Sequence, residues 1–432
     1  MAKLWKKSNT DSNAVVEKYT AGTDYLFDLE LLPFDIAASK VHARGLERIG
    51  ILTPDELTSL QSALDTLAED HKAGKVILTP EMEDCHTLIE NYLVEKIGEA
   101  GKKIHTGRSR NDQVAVAMRL YMKDHLTAMR QKCIALAADF VDLAEKYKDV
   151  AMPGYSHTQQ AMLSSVGHYM LAFAESLLDD ADYIATTQKH LDKNPLGSAA
   201  GFGVSLPLDR EFTTQELGFA EVQVNSLYCQ NSRGKFESAY MEALAQVMLT
   251  LGKFANDMVL FTSQEFDYFA VEESLTTGSS IMPQKRNLDA CEIMRGNVSV
   301  VIATQLMVKD IAKNLLSGYN RDGQLIKKPL IESTHIVADS LEVAALVLKG
   351  IVPREESIRS KITPGIFAAD IANDLVKERG IAFRDAYKQA MDLVAENKVN
   401  LEENIASKVS LGAPGNLDIA GYRERIRKSK QM

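Results

Sequence analysis

Apolar residues recur at helical spacing over unusually long runs of this chain. Neither proline nor glycine occurs between Arg108 and Met152, and Leu126, Met129, Cys133, Leu136, Phe140, Leu143 and Tyr147 follow one another at alternating steps of four and three. That is the heptad repeat of a helix buried along one seam. At about 1.5 Å per residue, 40 such residues would reach roughly 60 Å. Pro153 and Gly154 stop the run. The same spacing predicts a second helix over about 159–193, a third over about 235–273 with Gly252 as its one glycine, a fourth over about 289–316 and a fifth over about 330–349. Pro195 follows the second, and Gly350 and Pro353 close the fifth. Alternating β-branched runs that would signal strands are nearly absent. Five long helices joined by polar loops predict a bundle, not a sheet. Faces rich in Ala and Met, such as AYMEALAQVMLTL at 239–251, allow close approach on more than one side. They point to a core shared between chains, although a large monomeric bundle would carry the same faces.

The flanks read as shorter helices. Thr53-Pro54-Asp55-Glu56 is a helix start, with threonine as cap, proline in the first turn and glutamate three residues on. After Pro353 come short amphipathic segments and a basic tail, RERIRKSKQM, which is expected to be a solvated helix end and not a binding patch.

Composition narrows the class. At 432 residues the chain exceeds one ordinary core, so two or three domains are expected. A hydrophobic share of 45% and a charged share of 25% are those of a globular protein. No run of about 18 apolar residues offers a membrane span. The N-terminal MAKLWKKSNTDSNAVV lacks the apolar stretch of a signal peptide, and a cytoplasmic protein is expected. A formal charge of −10 argues against nucleic acid as a partner. Cys85, Cys133, Cys229 and Cys291 form no CxxC pair, so free, packed thiols are expected and no metal.

Four polar segments interrupt the helical pattern. TTGSSIMPQKRNLDACE (276–292) joins two long helices and carries Ser, Lys and Asn on a Gly-Ser-Ser turn. It is either a functional loop or a solvated linker. HTGRSRNDQ (105–113) sets two arginines, Asn and Asp at the entrance of the longest helix, where an anion is favoured; a charged capping loop would look alike. MPGYSHTQQ (152–160) puts His157 at an expected helix start, and GYNRDGQLIKKP (318–329) is dense in donors between two helices. Each taken alone is an ordinary polar turn. Spacing does not establish that they meet.

Together these segments resemble the fumarase/aspartase superfamily. GSSIMPQKRN (278–287) matches its GSSxMPxKxN signature at every defined position. HTGRSRNDQ, MEDCHTLIE (82–90), PLGSAAG (195–201), LPLDREF (206–212), YNRDGQ (319–324) and DIAASKVHA (35–43) are similar to segments of the argininosuccinate lyase family within it. The resemblance implies an all-α fold of three domains, 1–107, 108–353 and 354–432, with a long central helical bundle. It implies a homotetramer whose active sites are shared between subunits. The implied reaction is reversible cleavage of argininosuccinate to arginine and fumarate, a step of arginine biosynthesis and the urea cycle, with no cofactor.

By the same resemblance Ser279 is the base that takes the proton next to a carboxylate, helped by backbone N–H groups and Lys285. His157 is the second catalytic residue, oriented by Glu292. Ser39, His86, Arg110, Asn111, Ser156, Asn287, Tyr319, Gln324 and Lys327 match substrate-binding positions. Departures from the family pattern are Lys-Lys-Ser after Trp5, Ser156 in place of threonine, no proline in 160–165, Ser232-Arg233-Gly234 in place of a pattern with an acidic residue at the Gly position, and Leu288 in place of proline. They keep open a related lyase that releases fumarate from a modified argininosuccinate or another N-linked succinate. A catalytically silent structural bundle is the alternative of another class.

Overall fold

The computed structural model describes residues 13–80, 82–394 and 399–431; the departure at Trp5 lies outside them. Most of the described residues are helical. Three N-terminal helices are used below: α1 (Asp24–Arg48), α2 (Pro54–Lys72) and α3 (Cys85–Ile97). The five long helices are α4 (Arg110–Lys146), α5 (Val166–Leu191), α6 (Lys235–Phe261), α7 (Asp289–Ala312) and α8 (Lys327–Gly350). The last helix, α9, is Ile419–Gln431. Helix α2 starts as its sequence predicts. Thr53 accepts from the Glu56 backbone N–H at 3.2 Å, and Glu56 accepts from the Thr53 N–H at 2.9 Å.

Two compact units divide the chain: Met1–Ala128 with Ile184–Leu244 and Ile302–His335, and Met129–Tyr183 with Ala245–Val301 and Ile336–Met432. In the first, Leu31, Leu32, Ile36 and Leu46 of α1 are buried, Tyr121 stacks on His125 at 4.0 Å, and Tyr240 shares a 2.8 Å hydrogen bond with Thr334. In the second, Phe140, Phe173 and Phe254 form an aromatic triangle with centroids 5.2–5.5 Å apart. Gly252 has a packing role there: a Cβ at this position would stand 2.4 Å from Val298 Cγ2, so its bare backbone lets α7 approach α6.

The structure corrects the sequence reading in three places. The second helix begins at Val166, not near 159, because β1 (Ala151–Ser156) pairs antiparallel with β2 (Gln159–Ser165). His157 and Thr158 make the turn, with φ of 52° and 61°. This is the left-handed pair of a two-residue hairpin, usually supplied by Asn-Gly. His157 is therefore at a hairpin tip, not a helix start. The third helix ends at Phe261, and β3 (Phe269–Val271) then pairs with β4 (Ile351–Pro353). The basic tail is not simply a solvated end. In α9, Arg423 bonds Asp142 and Glu145 of α4, and Arg425 bonds Asp179 and Asp182 of α5. The four cysteines are buried and free. No helix among the described residues is long and apolar enough to cross a membrane.

Candidate active site

In the first unit a pocket of about 250 Å³ is lined by Asp24, Glu83, Asp84, His86, Arg110, Asn111, Val114, Arg233, Tyr319, Arg321, Gln324 and Lys327. Five separate stretches of sequence, at 24, 83–86, 110–114, 233 and 319–327, thus meet around one cavity. Six of the nine carried-over binding residues are among them: His86, Arg110, Asn111, Tyr319, Gln324 and Lys327.

Helix starts supply much of the wall. Ser109 caps α4: its hydroxyl accepts from Asn111 N–H at 3.3 Å, and Asp112 accepts from Ser109 N–H at 2.9 Å. The other Asp112 oxygen accepts from Gly197 and Ala199 N–H groups at 3.1 and 2.9 Å, which ties the PLGSAAG loop to this corner. Arg110 and Asn111 therefore stand at the positive end of a 37-residue helix. The Arg110 guanidinium lies 3.6 Å from Glu83 and 3.4 Å from Asp84 and donates to Thr87. Asp84 in turn caps α3 by accepting from Thr87 N–H at 2.8 Å. His105 stays neutral, because burial and then the Arg108 and Arg110 charges push it down to about 4.

His86 is almost wholly buried, and its Nδ1 lies 2.6 Å from Asp35 Oδ2. Burial opposes its charge, but the Asp35 carboxylate, with Asp84 and Asp28 behind it, raises it above the ordinary imidazole value. With Nδ1 engaged, Nε2 is the donor left for a ligand. Because the folded value is raised, the stability gained is fully present below the unfolded value near 6.5 and is lost as pH rises through the folded value. Urea denaturation across that window is expected to show falling stability in the parent and a weaker slope in Asp35→Asn. Equal slopes would break the assigned link.

Asp35, Cys85 and His86 are also the one group among the described residues whose donors lie close enough to hold a metal ion. They are already engaged with one another, the Cys85 thiol lying 3.7 Å from Asp35. Burial, and then the charges of Asp28, Asp35 and Asp84, push that thiol up, away from the thiolate a metal needs.

Lys327 is buried and bonds Asp24 at 2.6 Å and Asp28. Burial opposes its charge, but the two carboxylates overcome it and hold the ammonium well above the ordinary lysine value. Two of its three N–H donors are thereby used, and one remains. Gln324 donates to Thr20 O at 3.0 Å, and Arg321 to Glu83 at 2.6 Å. Ser39 is not a pocket residue: it is fully buried and accepts from Arg108 at 2.9 Å. Arg233, Arg321, Asp24, Glu83 and Asp84 line the pocket and were missed by sequence reasoning. Arg321 lies within YNRDGQ, Glu83 and Asp84 lie within MEDCHTLIE, and Arg233 lies beside the departure at Gly234, but none of them had been assigned a role; Asp24 had left no signal.

The remaining candidates lie in the second unit. Ser156 and His157 are exposed at the hairpin tip. Gln160 anchors this hairpin, donating to Lys361 O at 2.6 Å and accepting from Thr363 N–H at 3.0 Å. The loop 278–286 is pinched at its base, where Thr277 and Asn287 exchange two backbone hydrogen bonds of 2.9 Å. The Asn287 side chain donates to Gly278 O at 3.5 Å, and Thr277 bonds Asp289. Within the loop Ser279 Oγ accepts from the N–H groups of Ile281 (3.4 Å) and Met282 (3.2 Å). Two donors on one hydroxyl oxygen would stabilise an alkoxide at that position. Lys285 is exposed in the loop, and Glu292 is exposed in the first turn of α7. Among the described residues no hydrogen bond or ion pair joins Glu292 to His157 within the chain.

Residues 8–303 match the sequence model of a lyase family described simply as Lyase. The chain is 42% identical over 419 residues to argininosuccinate lyase of Xanthomonas oryzae pv. oryzae strain PXO99A, which covers 96% of each chain. It is 42% identical over 425 residues to that of Stenotrophomonas maltophilia strain R551-3, covering 98% of each. The chain belongs to the argininosuccinate lyase family. Solved structures of other lyases share the fold. EDDS lyase in complex with formate superposes with a TM-score of 0.81 at 22% identity over 98% of this chain and 92% of that one. Fumarate lyase:delta crystallin from Brucella melitensis superposes with a TM-score of 0.73 at 19% identity over 95% of each. The all-α, fumarase/aspartase-like fold expected of an argininosuccinate lyase relative is thus the one observed.

Proposed function

We propose that this protein is a carbon–nitrogen lyase that cleaves argininosuccinate reversibly to arginine and fumarate. The observation that carries this reading is the pocket: residues far apart in sequence, carried over from one family, line a single cavity of mixed charge. Cations and amides there suit carboxylates, and Asp24, Glu83 and Asp84 suit the cationic groups of an arginine. Ser279 acts as the base on the carbon next to a carboxylate, and Lys285 and Asn287 stabilise the charge that develops on that carboxylate. His157, oriented by Glu292 and accompanied by Ser156, serves the departing nitrogen. Ser39 acts by fixing Arg108.

The functional unit is a homotetramer, with sites completed by loops of several subunits. An exposed apolar row on α7 supports this: Ile293 (66%), Val300 (47%) and Met307 (37%) recur at seven-residue steps. Three domains, 1–107, 108–353 and 354–432, a cytoplasmic location and a place in arginine biosynthesis or the urea cycle complete the proposal.

Purified protein given millimolar argininosuccinate should raise ultraviolet absorbance as fumarate forms, with a tetramer seen by light scattering. A folded tetramer that produces no fumarate overturns the reading.

A further inference from the structure

The cations of the pocket are not equally satisfied. Arg110 faces Glu83 and Asp84, Arg321 bonds Glu83, and Lys327 bonds Asp24 and Asp28. Arg233 differs. Among the described residues it has no carboxylate within ion-pair distance, and its Nη1 is buried without a hydrogen-bond partner. A buried guanidinium N–H left unpaired is costly, and a ligand acceptor in the pocket would relieve it.

Its position is built, not incidental. The guanidinium lies over the Tyr319 ring at 5.2 Å. It also packs against Gly323, where a Cβ would come within 3.4 Å of its Cζ. The backbone beneath it is fixed as well. Gly234, at φ +82°, donates to buried Glu237 at 2.6 Å, and a Cβ there would stand 2.4 Å from Ala312 Cβ. Ser232 is held by Gln223 at 2.9 Å. A ring, a glycine and a locked turn thus hold one unneutralised guanidinium at the pocket wall, so a planar anion is what it lacks.

We propose that Arg233 is the ligand for the α-carboxylate of the arginine half of the substrate, which makes it the residue that selects an amino acid over an amine at that end. This rests on the lyase reading above. Argininosuccinate has three carboxylates. The two on the succinate half carry no neighbouring ammonium, whereas the third is part of a zwitterionic head. That head needs a cation and an acid close together. The pocket offers both, since Glu83, bonded by Arg321, lines it together with Arg233. The succinate half is left to Arg110, Asn111 and the loop of Ser279.

Arginine and its decarboxylated counterpart, agmatine, separate the roles. Calorimetry on the full chain should show the parent binding arginine more tightly than agmatine. Arg233→Met should weaken arginine by roughly 10- to 100-fold and leave agmatine within about threefold. Arg233→Lys should fall between. With argininosuccinate the loss should appear in KM, with kcat little changed. Equal losses for arginine and agmatine, no loss for either, or a loss in fumarate binding instead would each overturn the assignment. A parent that forms no fumarate fails the lyase reading itself. An active parent in which Arg233→Met keeps the preference for arginine fails only the Arg233 assignment.

Discussion

Ser279→Ala is expected to lower kcat by about a thousandfold or more, within the range that removal of a general base commands, while KM changes only a few-fold. The reason is local. The Ser279 hydroxyl oxygen is held by two backbone donors at 3.4 and 3.2 Å, from Ile281 and Met282. A free serine is a poor base near neutral pH, and these donors bias it toward the alkoxide. The loop is exposed and pinned at its base by Thr277 and Asn287 and not by Ser279, so the variant should melt like the parent. Fumarate release under saturating argininosuccinate, with circular dichroism as the fold control, separates chemistry from folding. Turnover by Ser279→Ala at the parent rate would remove serine from the role of base.

Helices were the most legible part of the fold. A run without proline or glycine over 108–152 became α4, Arg110–Lys146, because nothing in it opposes helical hydrogen bonding. The hairpin at 151–165 was hidden for a definite reason. Its turn uses His157 and Thr158 in left-handed conformations, which neither residue favours and no glycine announces. Strain of that kind persists where surrounding structure over-determines it, and here Gln160 and its bonds to 361–363 do so. The ion pairs of the tail were hidden because its partners, Asp142, Glu145, Asp179 and Asp182, lie more than 200 positions away. For the site, residue types inside family motifs were readable, and convergence was not. Arg110 and Lys327 meet in one pocket through α3, α4 and α8. Arg233 stands outside the recognised motifs, and only packing on Tyr319 and Gly323 brings it to the cavity.

Lys327→Met carries the largest expected effect on stability, and the effect has a pH signature. Lys327 is buried with Asp24 and Asp28 as partners. Burial raises Asp24, and the Lys327 charge is what restrains that rise. Without the ammonium, buried Asp28 and largely buried Asp24 lose their countercharge, a loss of about 3–5 kcal/mol. In the variant the Asp24 value, already raised by burial, should rise further. Protonation of Asp24 then relieves the site at acid pH, and the destabilisation grows as pH climbs through that raised value toward neutrality. Urea denaturation should find the gap from the parent widest near pH 7.5 and narrower near pH 5. Adding Asp28→Asn to Lys327→Met should recover part of the stability at pH 7.5 but none of the activity, since the third ammonium donor, the one left for substrate, is still missing. A gap equal at both pH values would show that lost packing, not stranded charge, sets the cost. Recovery of activity in the double variant would take Lys327 out of the binding site.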